Sequence, residues 1–163
     1  MNSIVRLSCL IVAVGSTAPA SAQMVSAQTY VMKAGASDLY EKTASQIALE
    51  STTNPGVKSF ATMMVSDHSQ SSAKVKAAAA KSGLTVKPPV LEPKQQSMIA
   101  ALRATKGPAR DALYISQQKA AHQEALALHQ SYGKSGTSVP LKTAAGEIVP
   151  VVQHHIEILA KMK

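Results

Sequence analysis

Near the end of the chain, apolar residues recur at steps of three and four positions. They are Leu141, Ala144, Ala145, Ile148, Val151, Val152, Ile158, Leu159 and Met162. This spacing predicts one apolar face of an α-helix, which must pack against other apolar surface. His155 occupies a position in the same stripe. A polar ring on an inward face needs a partner, because burying an unpaired polar group costs about 1–3 kcal/mol.

Proline and glycine residues divide the rest of the chain into further helices. The long predicted helices span residues 29–51, 55–82, 108–132 and 138–162, and a short one spans 93–106. Asn54 and Pro55 are typical of a helix start, whereas Gly83 and Gly133 are typical of helix ends. The link between the second and third long helices has about 25 residues, enough to travel the length of a bundle. The sequence therefore predicts an all-α, ferritin-like four-helix bundle with one long crossover.

The crossover determines which residues of different helices lie at the same height. At about 1.5 Å per residue from the shared end, Glu41, His68 and His122 lie within one helical turn of each other. His155 is expected about one turn away from them. Carboxylate and neutral imidazole groups are suitable ligands for zinc, copper and iron. These four residues are therefore the predicted ligands of a divalent transition metal.

The same residues support two other hypotheses. In the first, the histidines form a buried hydrogen-bond layer of a non-enzymatic structural or stress-related protein, with Gln118, Ser71 or Tyr114 as partners. In the second, a histidine whose pKa lies near neutrality acts as the general base of an enzyme. A di-iron site of the usual bundle type is not expected, because no acidic residue is followed by a histidine three positions later.

The remaining histidines are weaker candidates. His129 lies two turns after His122 on the same face, and His129 or Glu147 is expected either to form a second polar layer or to cap the core. His154 points about 100° away from His155 and is expected at the surface.

The first 22 residues have the pattern of a secretory signal peptide. Arg6 supplies a positive charge, residues 7–14 are apolar, and residues 20–22 (Ala-Ser-Ala) resemble a cleavage site. The sequence thus predicts a signal peptide over 1–22, one helical domain over 23–163 and a periplasmic location. Cys9 is the only cysteine and lies in the predicted signal, so the mature domain has no disulfide and depends on its core.

Charge and aromatic content narrow the expected partners. The whole chain has a formal net charge of +8, and loss of Arg6 with the signal leaves +7. The lysines are scattered, tryptophan is absent, and the aromatic residues are four tyrosines and one phenylalanine, so stacking platforms for bases are scarce. We expect no nucleic-acid partner and only a weak attraction to anionic envelope surfaces. No segment after the signal is apolar enough to span a membrane.

Three motifs of the chain resemble those of a known family. They are Val-Lys-Ser-Phe-Ala at 57–61 with Met-Val-Ser-Asp-His at 64–68, Tyr-x3-Gln-x3-His at 114–122, and Pro-x4-His at 150–155. Together they are similar to the DUF4142 family of exported bacterial proteins, often labelled outer membrane proteins, over residues 28–162. The resemblance implies a ferritin-like helical bundle, in which the matching residues are Glu41, His68, His122 and His155. It implies no reaction, because the family has no settled activity.

Overall fold

The computed structural model describes residues 25–163, which form five α-helices and their connections. The helices are α1 (Ala27–Leu49), α2 (Pro55–Lys81), α3 (Pro93–Ala104), α4 (Gly107–Ser135) and α5 (Val139–Lys161). The predicted all-α fold is confirmed, and the described residues contain no strand. The predicted signal peptide lies outside these residues.

The two ends of α2 follow the local sequence closely. The side chain of Asn54 accepts hydrogen bonds from two backbone amides of the first turn, and Pro55 takes the first helical position. At the other end Gly83 has a φ of +70°, and the amide of Leu84 donates to the carbonyl of Ala79 at 3.0 Å. This hydrogen bond at the end of the helix requires a left-handed backbone conformation at residue 83, which glycine adopts without strain.

Helix α4 is longer than the sequence predicts, because it continues through Gly133 to Ser135. The prediction that Gly133 ends the helix is wrong. At Gly133 the backbone packs against α5, where an added Cβ would lie 3.5 Å from the amide nitrogen of Gly146. This contact between helices outweighs the low helix propensity of glycine. The helix ends before Gly136, where a Cβ would collide with the ring of Tyr132.

The four long helices form a ring in which α1 and α5 each pack against both α2 and α4. Near one end of the bundle, the Arg110 guanidinium at the start of α4 donates to the carbonyl of Ile47 in α1 at 3.1 Å. At the opposite end, the hydroxyls of Ser82 and Ser138 lie 2.6 Å apart. The segment 82–106 therefore travels the length of the bundle, as the sequence predicts, and its helix α3 packs outside α1 and α4.

The apolar core consists of two clusters at the two ends of the bundle. The larger buried members of one are Tyr30, Val31, Val75, Tyr132, Leu141, Ile148 and Val152. Those of the other are Tyr40, Ile47, Phe60, Met64, Leu102, Tyr114 and Leu159. Along each long helix, a buried ionisable residue lies between the two clusters: Glu41, His68, His122 and His155. The fold thus places the four predicted ligands in one polar layer at mid-height.

Candidate metal centre

Three histidines from three helices converge in this layer. His68 of α2, His122 of α4 and His155 of α5 are all buried, and their ring centroids lie 5.3–5.7 Å apart. One ring nitrogen from each lies within 4.8 Å of those from the other two. The sequence expected His155 one turn away, whereas it contacts His122 directly. Bundle helices are inclined to each other, so heights counted along the sequence are accurate only to about one turn.

The hydrogen bonds of His122 fix which of its ring nitrogens carries the proton. Its Nδ1 lies 2.8 Å from the backbone carbonyl oxygen of Gln118, and a carbonyl only accepts, so Nδ1 donates. The Nε2 atom of the neutral ring therefore presents a lone pair. Burial lowers the pKa of His122 to about 3, which keeps the ring neutral at physiological pH.

His155 is oriented by a carboxylate. Its Nε2 lies 3.0 Å from Oδ2 of Asp67, so in the neutral ring Nε2 donates and Nδ1 presents the lone pair. Burial lowers the pKa of His155 and favours this neutral form. The Nδ1 atom lies 3.3 Å from Nε2 of His122. With both rings neutral, two lone pairs face each other across a buried gap, an arrangement that a shared cation would stabilise.

His68 contributes a third nitrogen. Its Nδ1 donates to Oδ1 of Asp38 at 2.8 Å and lies 3.1 Å from Oε2 of Glu41. Its Nε2 is buried and has no hydrogen-bond partner among the described residues. Burial lowers the pKa of His68, but the neighbouring carboxylates of Glu41 and Asp38 outweigh burial and raise it overall.

Glu41 lies behind two of the rings. Its Oε2 approaches Nδ1 of His68, and its Oε1 lies 3.3 Å from Nδ1 of His122. The carboxyl is fully buried, and burial raises its pKa to about 7. Asp38, Glu41 and His68 also form a group whose potential ligand atoms lie within 4.8 Å of one another. Asp38 therefore orients His68 from the side opposite its unpartnered Nε2, whereas Oε1 of Glu41 has no hydrogen-bond partner among the described residues.

In each of the three rings, one nitrogen points into the shared gap (the inner nitrogen) and the other points away from it (the outer nitrogen). Sequence reasoning missed Asp38 and Asp67, which bind the outer nitrogens of His68 and His155. Asp38 lies three positions before Glu41 on a similar face of α1, and Asp67 directly precedes His68. Helical spacing alone therefore made Asp38 detectable. Nothing in the periodicity distinguishes Asp67, because its side chain reaches the site from the edge of α2.

Of the three partners predicted for the hydrogen-bond layer, Gln118 bonds to a site histidine, whereas Tyr114 and Ser71 do not. The hydroxyl of Tyr114 pairs with that of Ser45 at 2.8 Å, and Ser71 has no hydrogen-bond partner among the described residues. Gln118 contributes its backbone carbonyl, because the helix brings that oxygen to the ring four residues later. The amide of its side chain is buried without a partner in the described part of the chain.

The other candidate residues lie outside this site. His129 is buried and its Nδ1 lies 3.0 Å from the hydroxyl of Tyr30, which makes the expected second polar layer. His154 is exposed, as predicted. Glu147 forms an ion pair with Lys74 at the surface and belongs to neither layer.

The spacing of the imidazoles suits one metal ion. Two nitrogens bound tetrahedrally at about 2.1 Å lie about 3.4 Å apart, and the ring centroids lie about 5.2 Å apart. The observed values are 3.3 Å between the nitrogens of His122 and His155 and 5.3–5.7 Å between centroids. Each ring also has the outer hydrogen bond that metal-binding histidines usually make.

A family model described as "Domain of unknown function (DUF4142)" matches residues 13–162. No curated protein matches the chain. No helix in the described part of the chain is long and apolar enough to cross a membrane.

Two solved structures have a similar fold. A DUF305 fragment from Deinococcus radiodurans superposes with a TM-score of 0.71 at 15% identity, covering 82% of this chain and 92% of that one. A DUF305 protein from Streptomyces coelicolor, whose description assigns it provisionally to the secreted proteins, gives a TM-score of 0.65 at 15% identity. That match covers 84% of this chain and 90% of the other. At this identity the likeness concerns the fold alone.

Proposed function

The chain belongs to the DUF4142 family, a family without a known function, and we propose from its site that it is an exported envelope protein that binds one divalent transition-metal ion. The proposed ligands are Nε2 of His68, Nε2 of His122 and Nδ1 of His155. Glu41 and Asp38 hold the rings from behind. Direct ligation by Glu41, which the sequence predicts, stays a prediction.

The observation that supports this proposal most strongly is the pair of facing nitrogens in His122 and His155. Both outer nitrogens are bound to pure acceptors, so both inner nitrogens present lone pairs 3.3 Å apart. A metal ion between them converts this repulsion into two bonds. The unpartnered Nε2 of His68 supplies a third.

Three imidazoles without a fourth protein nitrogen leave a coordination position for water or an exchangeable ligand. Imidazole ligands suit zinc, copper and iron, and the mature domain offers no thiolate. We therefore propose zinc or copper as the first ions to test. Periplasmic export is supported by the signal pattern.

The proposal is tested by thermal unfolding of untagged wild-type protein and the His122→Ala variant, each with chelator and with excess zinc or copper. Binding to the folded state alone adds about 2.7 kcal/mol at a ligand concentration of 100 Kd, so the wild type should melt higher with metal. His122→Ala should lose this shift. The exposed His154→Ala variant is the matched control and should keep it.

A buried hydrogen-bond layer is the second candidate, because one extra proton on His155 would also bridge its Nδ1 to Nε2 of His122. In that case His122→Ala should cost about 1–3 kcal/mol equally with and without metal. A wild type whose melting temperature is unchanged by either ion supports this second candidate and contradicts metal binding.

A further inference from the structure

The three imidazoles of the site differ in their connection to solvent. The outer nitrogens of His68 and His122 face the backbone carbonyl of Gln118 and the buried carboxylates of Asp38 and Glu41. The outer nitrogen of His155 instead faces Asp67, whose side chain is 29% exposed. His155 is therefore the ring that separates the inner nitrogens from solvent on the side of α2 and α5.

We propose that the metal ion enters and leaves the site between α2 and α5, with Asp67 as the carboxylate that first takes the incoming hydrated cation. This inference rests on the proposed function. In the structure, Asp67 accepts a hydrogen bond from Nε2 of His155 and thereby holds Nδ1 of the same ring towards His122. When the carboxylate binds an arriving ion, it releases the ring, which rotates and passes the ion to the inner nitrogens. Release follows the same path in reverse.

The main alternative route is a pocket of about 300 Å³ between α1, α3 and α4. It reaches Ser37, whose hydroxyl lies 3.4 Å from Oε2 of Glu41. An ion arriving there meets the Nδ1 side of His68 and His122, where the ring hydrogens point outward. It would have to pass two rings held by buried hydrogen bonds. On the Asp67 side it passes one ring, which is held by a carboxylate that is itself 29% exposed.

The test measures zinc binding by stopped flow, and zinc release by excess chelator, in untagged wild type and Asp67→Asn. Asparagine keeps an oxygen that accepts from Nε2 of His155, so the ring keeps its ligating tautomer. Glu157→Gln is the matched control, since Glu157 is an exposed carboxylate two positions after His155. Glu124→Gln removes a carboxylate that lines the alternative pocket.

We expect Asp67→Asn to slow zinc binding by about fivefold or more, while one zinc still binds per chain. The binding rate decides the proposal, because loss of the charge also weakens the hydrogen bond that orients His155 and thereby favours release. Binding by the wild type should also slow with added salt more than binding by Asp67→Asn. The two control variants should keep the wild-type rates.

Two results would overturn the inference alone while leaving stoichiometric zinc binding intact. One is an unchanged binding rate with faster release in Asp67→Asn, which means that Asp67 only orients His155. The other is equal slowing in Glu124→Gln, which means that the pocket is the route or that the charge acts at long range. Absence of zinc binding in the wild type overturns the proposed function together with this inference.

Discussion

At the scale of single residues, the outer hydrogen bonds of the rings decide what the site can do. His122 donates to a carbonyl, and His68 and His155 donate to carboxylates, so the second ring nitrogen of each neutral imidazole points into the shared gap. The pKa of His68 is raised by its carboxylate neighbours, so this ring must release its Nε2 proton before it can ligate. Such outer partners fix the tautomer and raise ligand basicity, and their loss typically weakens metal binding 10–100-fold.

Glu41→Gln tests the role of the buried carboxylate. If Glu41 orients His68 and His122 from behind, the variant should still bind one metal ion, with an affinity lowered by about 10–100-fold. A competition titration against a chromophoric chelator measures this change. The conservative Glu157→Gln variant should bind like the wild type. Complete loss of binding in Glu41→Gln would instead indicate direct ligation by this carboxylate.

His129 gives a prediction that does not depend on metal. Burial lowers its pKa to about 4, below the unfolded value of about 6.5. The folded state therefore binds fewer protons in this range, so the stability contribution is full above pH 6.5 and is lost as the pH falls towards 4. The loss approaches about 1.4 kcal/mol per pH unit for one group.

We expect His129→Gln to reduce this acid dependence by the contribution of one group in the metal-free protein, since glutamine does not titrate while His122 and His155 keep their lowered pKa values. Urea unfolding at a series of pH values from 7 to 4 measures it. The exposed His154→Gln variant should retain the wild-type slope. An unaltered slope in His129→Gln would show that His129 does not carry the acid sensitivity, and would leave the buried His122 and His155 as its sources.

At the scale of helices, the sequence predicts what is encoded locally. The start of α2 at Asn54 and its end at Gly83 follow from side-chain and backbone chemistry within a few residues. The course of α4 through Gly133 was not predictable, because it depends on contact with Gly146 of another helix. The predicted length of α4 was therefore wrong, because a contact with another helix outweighs the low helix propensity of glycine.

Gly133 inside α4 and Gly136 just after its end should respond in opposite ways to substitution by alanine. At Gly133 an added Cβ makes ordinary contacts, so Gly133→Ala should raise the free energy of unfolding by up to about 1 kcal/mol through helix propensity. At Gly136 the Cβ would lie 2.5 Å from the ring of Tyr132, so Gly136→Ala should lower it by about 1–3 kcal/mol. Chemical denaturation compares the two, and equal effects would contradict this packing of α4.

At the scale of the whole molecule, the crossover connection brings the site together. Because the segment 82–106 travels the length of the bundle, the long helices place their central residues at one level, between two apolar clusters. The sequence predicted that level for Glu41, His68 and His122 from residue counts. It did not predict the contact of Asp67 with His155, because periodicity indicates a helix face and not a side-chain direction.

The most direct test of the central claim is zinc X-ray absorption on untagged protein carrying one equivalent of the ion. We predict a first shell that contains three imidazole nitrogens at about 2.0–2.1 Å and one exchangeable ligand such as water. The multiple-scattering pattern of imidazole should account for all three rings, and His154→Ala should give the same spectrum. A shell without imidazole scattering, or a wild type that does not retain zinc after dialysis, would contradict a zinc centre formed by His68, His122 and His155.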